Sequence, residues 1–283
     1  NPADRGNAIA LNSTMVNSTR LIGPVIAGIL IPLIGEAFCF LFNSISYLAV
    51  LFSLFSIKIL KTQPVKEESG MFSDLKDGLK YSMKNKPIRD LLLLIVLMGF
   101  FGMSFLVLLP IYAKDIFNGD AHTLGLLMSS MGIGALTAAL SLAYRKTVIG
   151  LGQNISIASF LMSFALILTA VFPNLILALI LLSLFGYGMI ILLAASNTII
   201  QTIVDENRRG RVMSFYTLAF MGFGPIGSLA IGWVSGKWGA LNATLSFGLL
   251  SLLISILFFL NLPKLKKVIY PIYKEKRVFD SSD

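Results

Sequence analysis

Eight long apolar segments, separated by shorter polar connections, follow one another along the chain. We place them near Ala8–Ile34, Ala37–Ile57, Ile88–Ala113, Leu124–Tyr144, Leu151–Phe172, Leu175–Ile203, Val212–Ser235 and Leu241–Leu262. A run of about 20 apolar residues is long enough to cross a hydrocarbon core of roughly 30 Å as a helix. The runs are continuous, whereas the strands of an outer-membrane barrel alternate between apolar and polar positions. The pattern therefore predicts an all-α polytopic membrane protein.

One connection, residues 58–87, is longer and more polar than the others. Its later part reads MFSDLKDGLKYSMKNKP and repeats apolar and basic positions at helical intervals. The apolar positions are Phe72, Leu75, Leu79 and Met83, the basic ones are Lys76, Lys80 and Lys84, and Ser73 is available as a cap. This spacing predicts an amphipathic helix on the cytoplasmic membrane face. The alternative is a merely solvated charged linker.

The basic residues indicate which side of the membrane each connection occupies. Hydrophobic residues make up 56% of the 283 positions, charged residues only 13%, and the net charge is +9. If the first segment starts in the cytoplasm, 20 of the 23 Lys and Arg residues fall on the cytoplasmic side, Lys114 and Lys237 fall outside, and Arg20 lies within a segment. This bias predicts that the linker and the tail, residues 263–283, are cytoplasmic. Topology thus explains the basic charge without a nucleic-acid partner.

Cysteine and histidine are too few to support several chemistries. The single cysteine, Cys39, and the single histidine, His122, cannot build a disulfide framework or a His/Cys metal cluster. The sequence also has no Ser-His-Asp set and no glycine-rich phosphate loop. We therefore expect that the protein is not an enzyme and that it needs no cofactor or metal.

The chain contains an internal repeat with a shift of 204 residues. The aligned positions are Arg5-Gly6 with Arg209-Gly210, Gly28 with Gly232 and Gly35 with Gly239, and the Gly-Pro pairs Gly23-Pro24 and Gly224-Pro225 match with a displacement of three. A repeat of this length holds six segments, so residues 88–262 form one complete half and residues 1–57 the last two helices of another. Equal halves would begin roughly 116 residues before Asn1. We expect eight of twelve helices in an amino-terminally truncated chain.

Arg20 is the one basic residue within an apolar segment. It lies fifteen residues from Arg5 and fifteen from Gly35, about 22 Å of helix either way, and therefore near the middle of the bilayer. A lipid-facing arginine there would cost at least about 3 kcal/mol. We expect Arg20, with Asn17 and Ser13 on the same helix face, to line a central cavity. It would bind a polar or anionic substrate group or pair with an acid; the alternative is an interfacial residue that snorkels.

The connection VDENRRGRVMS combines acidic and basic residues. Its charged and flexible positions include Asp205, Glu206, Arg209, Gly210 and Arg211. Ion pairs between this turn and the opposing half would latch the cytoplasmic side as a gate and would break when the halves rock. The alternative is ordinary anchoring by cytoplasmic basic residues.

Three stretches resemble the major facilitator superfamily, and within it the bacterial macrolide efflux and enterobactin exporter group. They are RGNAIALNSTMVNSTRLIGPVIAGILI, FSDLKDGLKYSMKNKP and IIQTIVDENRRGRVMSFYTLAFMGFGPIGSLAIG. The resemblance covers helices five to twelve of that fold. It implies a monomeric transporter in a bacterial inner membrane that exports a drug, macrolide or siderophore by alternating access. A transport-inactive interaction protein or fragment and a lipid flippase remain alternatives.

The resemblance also assigns a role to the first Gly-Pro pair. Gly23, Pro24, Ala27 and Gly28, with Ala10 and Thr19, stand at positions of the fifth-helix motif of superfamily antiporters, although alanine or threonine replaces three of its glycines. The motif implies proton-driven export, and Gly224-Pro225 is its counterpart in the second half. Small residues allow close helix approach, and proline removes a backbone donor. Simple helix packing is the alternative.

Overall fold

The computed structural model describes residues 38–56, 71–145 and 147–275, and the chain divides into two units, residues 1–73 and 74–283. The helices are α1 (Phe38–Ser56), α2 (Met71–Lys84), α3 (Lys86–Phe101), α4 (Ala121–Ala143), α5 (Leu151–Val171), α6 (Leu175–Ile203), α7 (Arg209–Trp238) and α8 (Ala240–Glu275). Among the described residues, seven helices are long and apolar enough to cross a membrane. The prediction of an all-α polytopic membrane protein is confirmed. The predicted segment Ala8–Ile34 lies outside the described residues.

In the first unit, α1 is the described part. Its 19 residues have a mean hydropathy of 1.9, and the hydroxyls of Ser44, Ser53 and Ser56 donate to carbonyl oxygens one turn earlier. Serines that satisfy their own hydroxyls in this way are compatible with a lipid-spanning helix, because every polar group must find a partner inside the segment. Cys39 lies in its first turn as a free thiol.

In the second unit, α2 precedes six long helices that pack in two groups. α4 and α5 both pack along α6, while α3 contacts both α7 and α8. α5 also packs on α8 and so joins the two groups. By contrast, α6 meets α3 and α7 over only short stretches. α6 and α7 therefore belong to different groups and meet over only a short stretch.

Glycines set the closest crossings between these helices. A Cβ added at Gly134 of α4 would overlap the carbonyl oxygen of Ser183 in α6, and a Cβ at Gly186 would overlap the carbonyl oxygen of Met131 in α4. Without hydrophobic driving force between helices in lipid, small residues that allow backbone contact are the usual means of association. α4 and α6 are therefore held by a reciprocal glycine contact.

α3 changes its winding after Phe101. It tightens into a 3-10 stretch, Met103–Leu108, and ends in a wider π turn, Tyr112–Ile116. Gly102 lies at the first change, and Pro110 lies in the short turn between the two. Proline supplies no N–H for an intrahelical bond, so an unbroken α-helix is disfavoured here. The whole span, Lys86–Ile116, has 31 residues.

α8 is longer than the predicted segment Leu241–Leu262, because it continues as a helix to Glu275. The continuation occupies most of the region that the sequence analysis treats as a tail. Leu262, Leu265, Ile269 and Tyr273 are buried at spacings of three or four residues, which is the spacing of one helix face. Lys264, Lys266 and Lys267 lie exposed on the other side. This apolar stripe explains why the helix extends past the basic residues.

Aromatic residues lie at the C-terminal end of α7. Trp233 and Trp238 are both exposed, and they are the two tryptophans of the sequence. The Nζ atom of Lys237 lies 4.1 Å from the centroid of the Trp233 ring. Tryptophan concentrates at the boundary between hydrocarbon and water, so this end of α7 carries the side chains expected at a membrane surface.

Candidate functional site

The predicted cavity residues Ser13, Asn17 and Arg20 lie outside the described residues. The same holds for the first Gly-Pro motif, with Gly23, Pro24, Ala27 and Gly28. These assignments stay predictions. The second Gly-Pro pair and the charged turn between α6 and α7 lie in the described part, and with the polar positions of α6 they form the candidate site.

Neutral polar groups lie along α6. Asn197 and Gln201 are one turn apart on the side opposite the buried Ile199, and both are at least partly exposed. Tyr187 instead packs against the buried cluster of Ala138, Ala158 and Ile191. The Gln201 amide donates to the Asn197 side-chain oxygen at 2.5 Å, one turn away. α6 contains no charged residue. Asn197 and Gln201 thus offer hydrogen-bond donors and acceptors without a net charge.

Tyr216 joins α6 and α7. Its side chain is buried, and its hydroxyl donates to the backbone carbonyl oxygen of Leu193 at 3.0 Å. α6 and α7 otherwise meet over only a short stretch, so this bond fixes their separation at that level. Nothing in the sequence pointed to Tyr216, since a tyrosine in an apolar segment gives no sign of its partner.

Gly224 and Pro225 lie in the middle of α7. Pro225 is inside the helix, so the carbonyl of Met221 lacks the donor that an i−4 bond would supply. A Cβ added at Gly224 would meet nothing within 4 Å. A Cβ added at Gly227 would overlap the carbonyl oxygen of Phe100 in α3. Gly227 is therefore the glycine at the helix contact, whereas Gly224 has space around it.

The charged turn between α6 and α7 is bound to the linker helix. The hydroxyl of Tyr81 in α2 donates to Oδ2 of Asp205 at 3.0 Å and accepts from the Asp205 backbone N–H at 3.4 Å. The guanidinium carbon of Arg208 lies 4.7 Å from the centroid of the Tyr81 ring, within the range of a cation–π contact. Burial raises the pKa of Tyr81, against the lowering effect of the Asp205 backbone bond. The hydroxyl therefore remains a proton donor at neutral pH.

The remaining residues of the predicted gate differ in their surroundings. Arg209 and Gly210 are exposed, whereas Arg211 is partly buried. A Cβ added at Gly78 of α2 would lie 3.0 Å from Cβ of Arg211, so α2 lies directly against this arginine. The side chain of Glu206 lies outside the described residues. The linker helix thus contacts three residues of the turn and of the start of α7: Asp205, Arg208 and Arg211.

A second polar contact lies where α3 begins. Asp90 Oδ1 accepts from Nε and Nη2 of Arg89 at 3.0 and 2.9 Å, and Oδ2 accepts from Nδ2 of Asn261 in α8 at 2.6 Å. The Asp90 side chain is only 9% exposed. The carboxylate therefore ties the first long helix of this unit to the last. Among the described residues, no cluster of His, Cys, Asp or Glu has the makings of a metal site.

Comparison with known proteins identifies the family. Residues 3–272 match the family described as transmembrane secretion effector, within the major facilitator superfamily. The chain belongs to this family. The resemblance drawn from the sequence is confirmed, and the family is one of transporters and not of enzymes.

Two named bacterial proteins are similar to this chain of the transmembrane secretion effector family. One is the "Staphyloferrin A transporter" of Staphylococcus aureus, 29% identical over 264 residues that cover 92% of this chain and 64% of that protein. The other is the "Multidrug efflux pump Tap" of Mycolicibacterium fortuitum, 23% identical over 271 residues that cover 93% of this chain and 64% of that protein. The chain thus spans slightly less than two-thirds of each relative's length.

Proposed function

We propose that the full-length protein is a secondary active exporter of a small amphipathic compound, driven by proton antiport and working by alternating access. Membership of the transmembrane secretion effector family is the observation that carries this proposal. The neutral polar side chains of Asn197 and Gln201 on α6 support it because a transporter half must present polar groups to its substrate.

A siderophore is the first cargo class to test. The relative with 29% identity is named a staphyloferrin A transporter, and the relative with 23% identity is named a multidrug efflux pump. Drugs and macrolides are therefore the second class. The two classes differ in charge and polarity, so a substrate competition experiment separates them.

The first half would supply a charged group to the cargo. Arg20, with Asn17 and Ser13, would contribute a positive charge and hydrogen-bond donors, so an anionic or strongly polar cargo group would bind close to Arg20. In the second half, Asn197 and Gln201 of α6 would offer neutral hydrogen bonds.

The proposed topology follows the distribution of basic residues. The protein would lie in a bacterial inner membrane as a monomer, with residues 58–87 and the basic region from residue 263 onward in the cytoplasm. Residues 1–57 would belong to the first half and residues 88–262 to the second. Asp205, Glu206, Arg209, Gly210 and Arg211 would form the cytoplasmic gate. Gly23, Pro24, Ala27 and Gly28 would form the antiporter motif, with Gly224-Pro225 as its counterpart.

The test uses a strain whose own copy of the full-length gene has been deleted. We expect the deletion to raise the cell-associated siderophore and lower the secreted siderophore, and the plasmid-borne gene to reverse both changes. A protonophore should abolish the reversal, because the antiport draws on the proton gradient. If neither siderophore nor any tested drug changes its distribution, the exporter proposal is wrong. A change confined to labelled phospholipids would instead identify a flippase.

A further inference from the structure

Contacts with α7 and with the turn before it fix the rotation of the linker helix α2 about its own axis. Gly78 and Ser82 are buried, and a Cβ at Gly78 would lie 3.0 Å from Cβ of Arg211 and from Cε2 of Phe215. Tyr81 is bonded to Asp205. These three residues lie along one side of the helix, because positions three and four apart share a face. Another side of α2 must then point away from the bundle.

The side of α2 that points away carries an apolar row. Leu79 is 45% exposed and Met83 is 42% exposed, and they lie one helical turn apart. Neighbouring apolar side chains that stay exposed form a patch of the kind that marks an interaction surface.

A basic row runs beside the apolar one. Lys76, Lys80 and Lys84 are all exposed and follow one another at four-residue spacings. The acidic residue that adjoins this row is Asp77, which is exposed as well. Arg208, in the turn next to α2, adds to the positive charge at this end of the bundle. The row therefore faces no described cluster of acidic groups.

The position of α2 places both rows at a membrane surface. α2 ends at Lys84 and α3 begins at Lys86, so a single residue separates the linker helix from a membrane-spanning one. α2 itself is too short and too charged to cross a bilayer. A helix in this position meets phospholipid headgroups directly.

We propose that Leu79 and Met83, together with Lys76, Lys80 and Lys84, form a lipid surface that binds anionic phospholipids of the membrane crossed by the bundle. The apolar side chains reach the acyl boundary while the ammonium groups contact phosphates. A protein partner would need acidic groups opposite each lysine, whereas an anionic leaflet presents them at every position. Tyr81 and Gly78 hold the helix in the rotation that presents this surface.

The first test measures lipid preference. The purified full-length protein is reconstituted in phosphatidylcholine bilayers with increasing phosphatidylglycerol, and spin-labelled phosphatidylglycerol reports the immobilised lipid. We expect the triple variant Lys76→Gln, Lys80→Gln, Lys84→Gln to lose at least about fivefold of the preference for phosphatidylglycerol, the factor that one lysine near an anionic surface supplies. As a control, spin-labelled phosphatidylcholine, which has no net charge, should be immobilised to the same extent by the variant and by the unchanged protein. No loss of the phosphatidylglycerol preference, or an equal loss of phosphatidylcholine contact, overturns the proposal.

The second test measures the depth of the apolar row. In a cysteine-free background, in which Cys39 and any cysteine in the rest of the full-length protein are replaced by serine, a fluorophore is attached at Met83→Cys or at Asp77→Cys. Lipids brominated in their acyl chains should quench the label at position 83 and leave the label at position 77 nearly unchanged. Equal quenching at the two positions would mean that α2 is not oriented by this surface. Absence of quenching at position 83 would show that protein covers the row. Both tests read lipid contact, so they succeed or fail independently of export.

Discussion

Two glycines three residues apart on α7 should respond in opposite ways to the same substitution. In Gly227→Ala the new Cβ would lie 2.8 Å from Cα of Phe100 and would overlap its carbonyl oxygen. Both contacts are with backbone, so no side chain can rotate away and α7 must separate from α3. In Gly224→Ala the new Cβ meets nothing within 4 Å.

The magnitudes follow from two opposing effects. Overpacking by one methyl group costs about 1–3 kcal/mol, while replacing glycine by alanine inside a helix contributes about 0.5–1 kcal/mol. Gly227→Ala should therefore lower the free energy of unfolding by about 1–2 kcal/mol. Gly224→Ala should raise it by up to about 1 kcal/mol. The two variants should differ by roughly 2 kcal/mol.

The assay is reversible unfolding of the full-length protein in mixed micelles, followed by far-ultraviolet circular dichroism. Transport is measured on the same purified proteins after reconstitution into sealed vesicles. If Gly224 and Pro225 form a functional kink, Gly224→Ala should slow transport although its stability is unchanged or higher. Equal stabilities for the two alanine variants would refute the packing argument for Gly227. Normal transport by Gly224→Ala would refute a functional kink.

Three further outcomes are expected. Arg20→Ala should reduce efflux at least tenfold, because about 1.4 kcal/mol of lost substrate interaction already corresponds to that factor. Membrane insertion, measured by fractionation, should stay intact. Unchanged efflux of every cargo would exclude a cavity role. Asn261→Leu should lower the free energy of unfolding by about 1 kcal/mol, since it leaves Asp90 Oδ2 without the bond at 2.6 Å, and a denaturant titration that shows no change would count against this tie. The backbone N–H of Thr123 is the main cause that lowers the pKa of Asp120. The cap should therefore stabilise the start of α4 above about pH 4 and be lost as the pH falls through the lowered pKa. Protection of the Thr123 N–H against hydrogen exchange that stays constant with pH in this range would contradict the cap.

The helices were largely predictable because each depends on a local property. The predicted segment Leu175–Ile203 coincides with α6, and Leu151–Phe172 differs from α5 by one residue. A chain in lipid must satisfy its backbone hydrogen bonds within the segment, so a sufficiently long apolar run has little choice but to be a helix. The linker helix was predictable from its period, although it begins at Met71, before the expected cap.

The extension of α8 was not predicted because a charge count ended the segment too early. Lys264, Lys266 and Lys267 suggested a tail, whereas the buried residues Leu265 and Ile269 continue the helix. The apolar positions in this stretch are spaced at three and four residues, so the signal is present in the sequence. It is weak because the lysines lower the average hydropathy of the whole window.

The sequence by itself determined the membrane class, the helical segments and the positions of the unusual charges, because these depend on composition and on short-range periodicity. The family followed from the resemblance of three stretches of the sequence. Only the tertiary structure decided which residues meet. Tyr81 and Asp205 are 124 positions apart, and Asp90 and Asn261 are 171 positions apart. Likewise, Gly224 and Gly227 are equivalent as letters in one helix. Which of them touches a neighbouring backbone depends on where α7 crosses α3, and no local pattern contains that crossing.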